Sequence, residues 1–566
     1  MGAFATDRSG PLQLIYLYNS PHTAQLIKSQ ESSYENTLGR WRKYLKRYGK
    51  ASRDLSRDDL VAGVEPGVLI LASAQVLDEQ EKRAIQSFAD RGGSIWGTWA
   101  IGSRDPSGRF LGYEYLEHLF QLRVLGKYKV DTEWFLMPFG DGPLTWPVPA
   151  GRRMSVGDIS DEMLIRVQSD NLAAVFMDWM RTKEQAGPGG AIAFHESSTA
   201  RFVYYAFPER VWNYHKQADW NAILDSTIAW LRREPRLFKG AWPDGRAAAH
   251  LMEMDTEDKF FSAPNFAKDL ESIGVKGTFY CLTSMAVRYP DIVRDLRARG
   301  HEIAYHADVH FGFKDLDPAE QEMRVLNMKA QMKTILGDAT GEATGFRAPT
   351  ESYDAVTERI LRRNGILHHA ADPSATQDRL PFFSSAEPGL GPSAALVVLP
   401  RTQFDDVNFM RMLYGPARVE ESLAYDLDLA VRSGAFSLLS VHTQNYVDGG
   451  LMAGTMGNYM KRVAEYKDRL WVARGDQIAA WWRTREPVKI QQRTGDGFIA
   501  FSADGTSGSI PSGLSVIVTH PRKGISPVVT LADGKPAKVQ VKAMDAYRSA
   551  IVLDAQSPTS ELFVRF

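Results

Sequence analysis

Between residues 249 and 485 the chain keeps repeating one pattern: a short apolar run, a break, then an amphipathic stretch. Runs such as KGTFYCL (276–282), EIAYH (302–306), ALVVLPRT (395–402) and FSLLSVH (436–442) are the length of strands, and they read as strands buried on both faces. The stretches between them, 263–274, 289–300, 317–336, 352–365 and 419–434, carry helical periodicity. Their ends are marked as helix ends usually are: Pro290 early and Gly300 late in one, Asp317 before Pro318 in another. Six or more such repeats force parallel strands joined by outer helices, and a span of this length is about the size of a (β/α) barrel. The expectation for 247–485 is a distorted barrel of that kind.

The flanks differ. Apolar runs at 12–18, 67–73, 94–100, 191–196 and 201–207 alternate with helical patterns at 78–90 and 220–235, which predicts a doubly wound α/β domain over 1–240 with a parallel sheet. Residues 235–246 break the pattern with Pro and Gly and read as a boundary. From 486 to 566 short alternating runs with turn signals predict a small antiparallel β-sandwich. A net charge of −1 gives no electrostatic case for nucleic acid. The single cysteine, Cys281, rules out an intramolecular disulfide, and no run of 18 apolar residues suggests a membrane span.

The chemistry-bearing residues fall at the ends of the apolar runs. HADVH places His306 and His310 four residues apart after one strand, so both rings share a face and reach one metal ion if the chain turns helical there. DTED (255–258) puts three carboxylates at the end of the strand before it, where a barrel carries its function. A zinc site needs three protein ligands, and a further carboxylate can serve as general base. GFRAPT brings Arg347, suited to clamp a carboxylate, and SLLSVH ends in His442, suited to protonate a leaving amine. Alone, each has a plainer reading: a polar turn for HADVH, a helix cap for DTED, a core histidine for His442.

Taken in order, the motifs DTED, HADVH, RAP and LSVH over about residues 247–484 resemble the polysaccharide deacetylase (NodB homology) family, carbohydrate esterase family 4. The resemblance implies that Asp255 is the general base, His306 and His310 are metal ligands, Arg347 orients the base and His442 is the general acid. It implies a carboxylate ligand at Glu257, with Asp258 as the alternative; strand alternation puts Asp255 and Glu257 on one face and favours Glu257. It implies a supporter for His442, and Asp372 in AADPS is the candidate, although the family's tryptophan is missing there. The family's Arg-Pro-Tyr also gives way to Arg347-Ala-Pro-Thr350, with Tyr353 the nearest tyrosine. The N-terminal part resembles class I glutamine-amidotransferase-like folds, but no cysteine stands near the expected elbow at 97–103, so it is read as non-catalytic. The three-part layout is similar to the multidomain deacetylases of exopolysaccharide biosynthesis.

The function expected is a metal-dependent N-deacetylase acting on an N-acetylated amino-sugar polymer, with zinc as the ion and cobalt or nickel as substitutes. The alternative is an inactive carbohydrate-binding or scaffold protein of a polysaccharide export system; a small-molecule amide hydrolase is a third reading. The partners expected are the polysaccharide and proteins of its export or synthesis. A polymer substrate places the protein outside the cytoplasm, periplasmic or secreted, with its leader not present in this chain.

Overall fold

The computed structural model describes residues 11–30, 32–127, 135–140, 142–157, 164–177, 189–371, 378–401, 403–495, 497–505, 509–555 and 561–566. Among the described residues eight strands of the expected barrel run parallel, seven in the order Val397–Pro400, His368–Ala371, Gly345–Arg347, Glu302–Tyr305, Thr278–Cys281, Ala248–Thr256, Phe436–His442, and the eighth, Leu470–Val472, paired with the start of Ala248–Thr256. The short strand Phe382–Phe383 lies antiparallel along the Val397–Pro400 edge. Among the described residues the two end strands, Val397–Pro400 and Phe436–His442, do not pair, so the sheet curls into a half-barrel and stays open on that side.

Strand Ala248–Thr256 is buried along its whole length. Ala248, Met252 and Met254 pack with the surrounding helices, against residues such as Phe266, Leu270 and Leu427. Ala249 and Leu251 face the other way, with Tyr280, Ala304 and Leu438. Glu253 and Asp255 have the parity of Ala249 and Leu251, so alternation carries these carboxylates to the inner face. The same logic on Phe436–His442 sends Phe436 and Leu438 inward and Leu439 and Val441 outward, leaving His442 at the inner end. Helix Pro318–Leu336 begins as expected, with the Asp317 carboxylate accepting from the Ala319 N–H at 2.8 Å.

The N-terminal sheet departs from the all-parallel expectation. Strands Ser52–Leu55, Ile15–Tyr18, Val68–Leu71, Ser94–Thr98 and Arg201–Tyr205 are parallel neighbours. Beyond them Gly190–Glu196, Leu172–Met177, Phe135–Pro138 and Met154–Ser155 follow in antiparallel pairs. The reason is chain length: residues 197–200 can close a hairpin but cannot carry a crossover helix. Trp99, directly after strand Ser94–Thr98, has a left-handed φ of 56°.

The C-terminal strands form two antiparallel four-stranded sheets whose apolar sides share one core, including Val516, Ile551, Phe501 and Val564. One of them takes its edge strand, Leu237–Lys239, from the stretch that reads in sequence as a boundary. Trp242 then fixes this stretch to the half-barrel. It is buried, donates its indole N–H to the Gly434 carbonyl at 3.0 Å, and its ring lies 5.8 Å from Trp482 and 6.3 Å from Phe436. No helix among the described residues is long and apolar enough to cross a membrane.

Trp242→Ala should therefore lower stability by about 3–5 kcal/mol, the usual range for emptying a buried aromatic site. Urea unfolding followed by fluorescence and far-ultraviolet dichroism measures it; a loss below about 1 kcal/mol would show that this ring does not join the two parts.

Candidate functional site

The inner strand ends open into a cavity of about 430 Å³ lined by Asp255, Glu257, His306, His310, Arg347 and His442, with Glu351, Arg401, Asp405 and Arg411 on its walls. Parallel register brings Asp255 and His442 side by side as direct partners on neighbouring strands. His442 Nε2 lies 3.5 Å from Asp255 Oδ2. Arg347, the last residue of its strand, reaches Asp255 Oδ2 through Nε at 2.8 Å. Its Nη1 donates to Glu253 at 2.6 Å and its Nη2 to Glu351 at 3.3 Å. Asp255 Oδ1 is buried without a hydrogen-bond donor among the described residues.

Burial works against the charge on Arg347, but the Asp255, Glu253 and Glu351 carboxylates win and raise its pKa well above the ordinary arginine range. Burial pushes the Glu253 carboxyl up, against the pull of Arg347, and the Asp255 charge adds to the push. Glu351 also pairs with Arg401, at 2.8 and 2.9 Å. In the pocket wall each of the two arginines is thus held by carboxyl groups on more than one side, Arg347 by Glu253, Asp255 and Glu351 and Arg401 by Glu351 and Asp405.

His306 and His310 converge on Glu257. Their Nε2 atoms lie 3.1 and 2.7 Å from the same oxygen, Oε1. His306 Nδ1 is 3.0 Å from the Arg347 carbonyl, so Nδ1–H donates there and Nε2 faces the cavity, a donor to Glu257 when protonated and a free lone pair when neutral. Gln444 Nε2 holds the other Glu257 oxygen at 2.8 Å. Burial would raise the Glu257 carboxyl, yet the hydrogen bonds from His306 and His310 hold it well below the usual carboxylate range. Two imidazole nitrogens and one carboxylate oxygen within 4.8 Å of one another are a donor set that fits a divalent ion such as zinc.

Two corrections concern how the pocket is assembled. The histidines do not share a helical face: residues 306–310 form a bent loop, with Ala307 left-handed at φ 69°. Asp258 is exposed and outside the donor cluster; its backbone carbonyl accepts from the Thr443 hydroxyl at 2.6 Å. Asp372 lies outside the described residues, and the place beside His442 is taken by Asp406, whose Oδ1 is 2.6 Å from Nδ1. Asp406 also accepts from the His442 backbone N–H at 2.7 Å and from Asn445 at 3.0 Å. Burial disfavours the imidazolium of His442, but the Asp406 carboxylate outweighs it, with Asp255 and Glu257 adding, and lifts the pKa to about 10. Tyr353 packs edge-on against His369 and does not line the cavity.

Asp406, Glu253, Glu351 and Arg401 were not legible as site residues. Asp406 sits in DDVNF, where Asp405 caps a helix, so an acidic pair there reads as a helix start. A second group, His22, Asp78 and Glu81, also gathers potential ligand atoms, but Arg57 already donates to Asp78 at 2.9 and 2.6 Å.

Residues 260–368, which include His306, His310 and Arg347, match the polysaccharide deacetylase family. Among solved structures, a putative polysaccharide deacetylase from Mycobacterium smegmatis is similar at 23% identity, over 44% of this chain and 95% of that one, with a TM-score of 0.36. A probable polysaccharide deacetylase from Pseudomonas aeruginosa PAO1 is similar at 18% identity, over 42% and 92%, with a TM-score of 0.37. The carbohydrate deacetylase Agd3 is similar at 12% identity over 98% of each chain, with a TM-score of 0.44. The chain carries a polysaccharide deacetylase domain, and in class it is a hydrolase of carbon–nitrogen bonds in polysaccharides.

Asp406→Asn removes the charge that outweighs burial at His442. The imidazole titration should then fall from about 10 toward or below the ordinary histidine value. Histidine-labelled NMR of the metal-free protein reads this directly; a fall of less than about one pH unit would show that Asp406 does not set the charge of His442.

Proposed function

We propose that this hydrolase is a metal-dependent N-deacetylase that removes acetyl groups from an N-acetylated amino-sugar polymer outside the cytoplasm. The observation that carries the reading is the pairing of Asp255 with His442 across 3.5 Å, at the mouth of the Glu257, His306 and His310 donor set. A divalent ion held by those three residues, zinc by their chemistry, would supply Lewis acidity toward the acetyl carbonyl.

The chain's own groups account for the protons. Arg347 aims Asp255 through its Nε, 2.8 Å from Oδ2, and among the described residues no hydrogen-bond donor reaches Oδ1. Asp255 accepts a proton from the attacking water as the water oxygen bonds to the acetyl carbon. The carbon–nitrogen bond then breaks, and His442 delivers its Nε2 proton to the departing amine nitrogen, giving acetate and a free amino sugar. Asp406 on Nδ1 fixes the ring so that Nε2 faces the cavity, and its charge keeps that proton in place at neutral pH. Raising the pH removes the acid form of His442, so activity should decline on the alkaline side, and at a lower pH in Asp406→Asn than in the wild type.

We read residues 1–240 as a non-catalytic amidotransferase-like domain: where such folds carry a nucleophilic cysteine, Trp99 takes the left-handed turn here. With 486–566 it would hold the polymer or a protein of its export or synthesis beside the half-barrel.

Two measurements test the reading. Acetate release from a panel of N-acetylated glucosamine and galactosamine polymers should appear with added zinc, and Asp255→Asn and His442→Ala should each lose about 10²–10⁴-fold while keeping the metal; losses under tenfold for both would refute the roles. Metal content should collapse in Glu257→Ala and survive in Asp258→Ala; the reverse would move the ligand to Asp258.

A further inference from the structure

The two histidines of the donor set are held unequally. His306 directly follows its strand, is buried, and has Nδ1 tied to the Arg347 carbonyl. His310 has a side chain 42% exposed, and among the described residues no hydrogen bond reaches its Nδ1. What places His310 is therefore its backbone, and that backbone is not part of any helix or strand. It begins with a strained left-handed turn at Ala307, pinned by Thr283, whose N–H and hydroxyl both donate to the Ala307 carbonyl, at 3.0 and 3.1 Å.

Beyond that turn the loop is organised by one side chain, Arg324, from helix Pro318–Leu336. It is 5% exposed. Its Nε donates to Asp308 Oδ1 at 2.9 Å, Nη1 to the Gly312 carbonyl at 2.7 Å, and Nη2 to the Val309 and Phe311 carbonyls at 3.0 and 2.8 Å. Phe313 stacks under the guanidinium, 4.2 Å away. Every one of these partners lies in 308–313, and they bracket His310 on both sides. A buried guanidinium is expensive to desolvate and is retained where its whole donor fork is used. Here the fork is used on the loop that brings His310 to the cavity wall.

We propose that Arg324 is a positioning residue for the metal pocket: it preforms the 308–312 loop so that His310 meets Glu257 and His306 before any ion arrives. This rests on reading Glu257, His306 and His310 as the metal ligands. Arg324 does not touch the ion, so its removal should weaken metal binding by misplacing one ligand while the other two stay.

The test uses the full chain and the metal alone. Zn²⁺ affinity is measured by competition with a chromophoric chelator, and the Co²⁺ form by visible absorption, for wild type, Arg324→Met, Arg324→Lys, Asp308→Asn and His310→Ala. Thermal midpoints and far-ultraviolet dichroism are taken on the same samples. Arg324→Met should weaken Zn²⁺ binding by about 10–100-fold and give a Co²⁺ spectrum like that of His310→Ala. Arg324→Lys should restore part of the affinity, and Asp308→Asn, which keeps the three carbonyl bonds, should lose less. Should Arg324→Met fail to fold, Asp308→Asn decides: reduced Zn²⁺ affinity at an unchanged fold supports the proposal. Wild-type affinity in Arg324→Met, or in Asp308→Asn if only that variant folds, overturns it. A wild-type chain that binds no Zn²⁺ would overturn the ligand reading itself, and this proposal with it.

Discussion

One buried guanidinium organises the inner end of the half-barrel. Arg347 stands among Glu253, Asp255 and Glu351, all within hydrogen-bond reach of its three nitrogens. Glu253 and Asp255 are buried and Glu351 partly so, and Arg347 offsets the penalty of several kcal/mol that an unpaired buried charge carries. Arg401 takes up Glu351 from the far side, which leaves Arg347 free to serve the strand that carries Asp255. Its backbone matters as well, since its carbonyl fixes the tautomer of His306. One residue thus couples the Asp255 carboxylate, the base of the proposed mechanism, to the orientation of the His306 imidazole.

The rest of the pocket follows from parallel register. Strand alternation puts Glu253 and Asp255 on the inner face, and pairing of Ala248–Thr256 with Phe436–His442 sets Asp255 against His442. Glu257 lies just past the strand end, where its N–H meets the Thr443 hydroxyl at 3.0 Å, so the residues after both strands are stitched together. The half-barrel supplies fixed strand ends, and the loops after them, above all 306–313, supply the remaining groups. This division leaves the precision of the site resting on two arginines, Arg347 beneath it and Arg324 beside it.

Much of this was legible locally. Apolar runs located the strands, and the polar residue ending each run was a chemical group, so Asp255, Glu257, His306, His310, Arg347 and His442 could be picked out before any contact was known. What failed depended on tertiary partners. The helical face for His306 and His310 was a reasonable reading of their spacing, but Arg324 and Thr283 hold the loop in another shape. Asp406 supports His442 from a helix start that looks like an ordinary cap, and nothing in the spacing points to it. The antiparallel half of the N-terminal sheet follows from the short connection, 197–200, between the runs 191–196 and 201–207, which apolar periodicity alone does not express. The strand Leu237–Lys239 was hidden in a Pro- and Gly-rich stretch, and its place is decided by a partner far along the chain.

The proposed chemistry depends on where a metal binds. Crystals of the full chain soaked in zinc and measured at the zinc absorption edge would show it directly. One dominant anomalous peak is expected, about 2.0–2.2 Å from a Glu257 oxygen and from Nε2 of both His306 and His310. A peak held by Asp258 in place of Glu257, a dominant peak at His22, Asp78 and Glu81, or no ordered ion in the half-barrel at saturating zinc would contradict it.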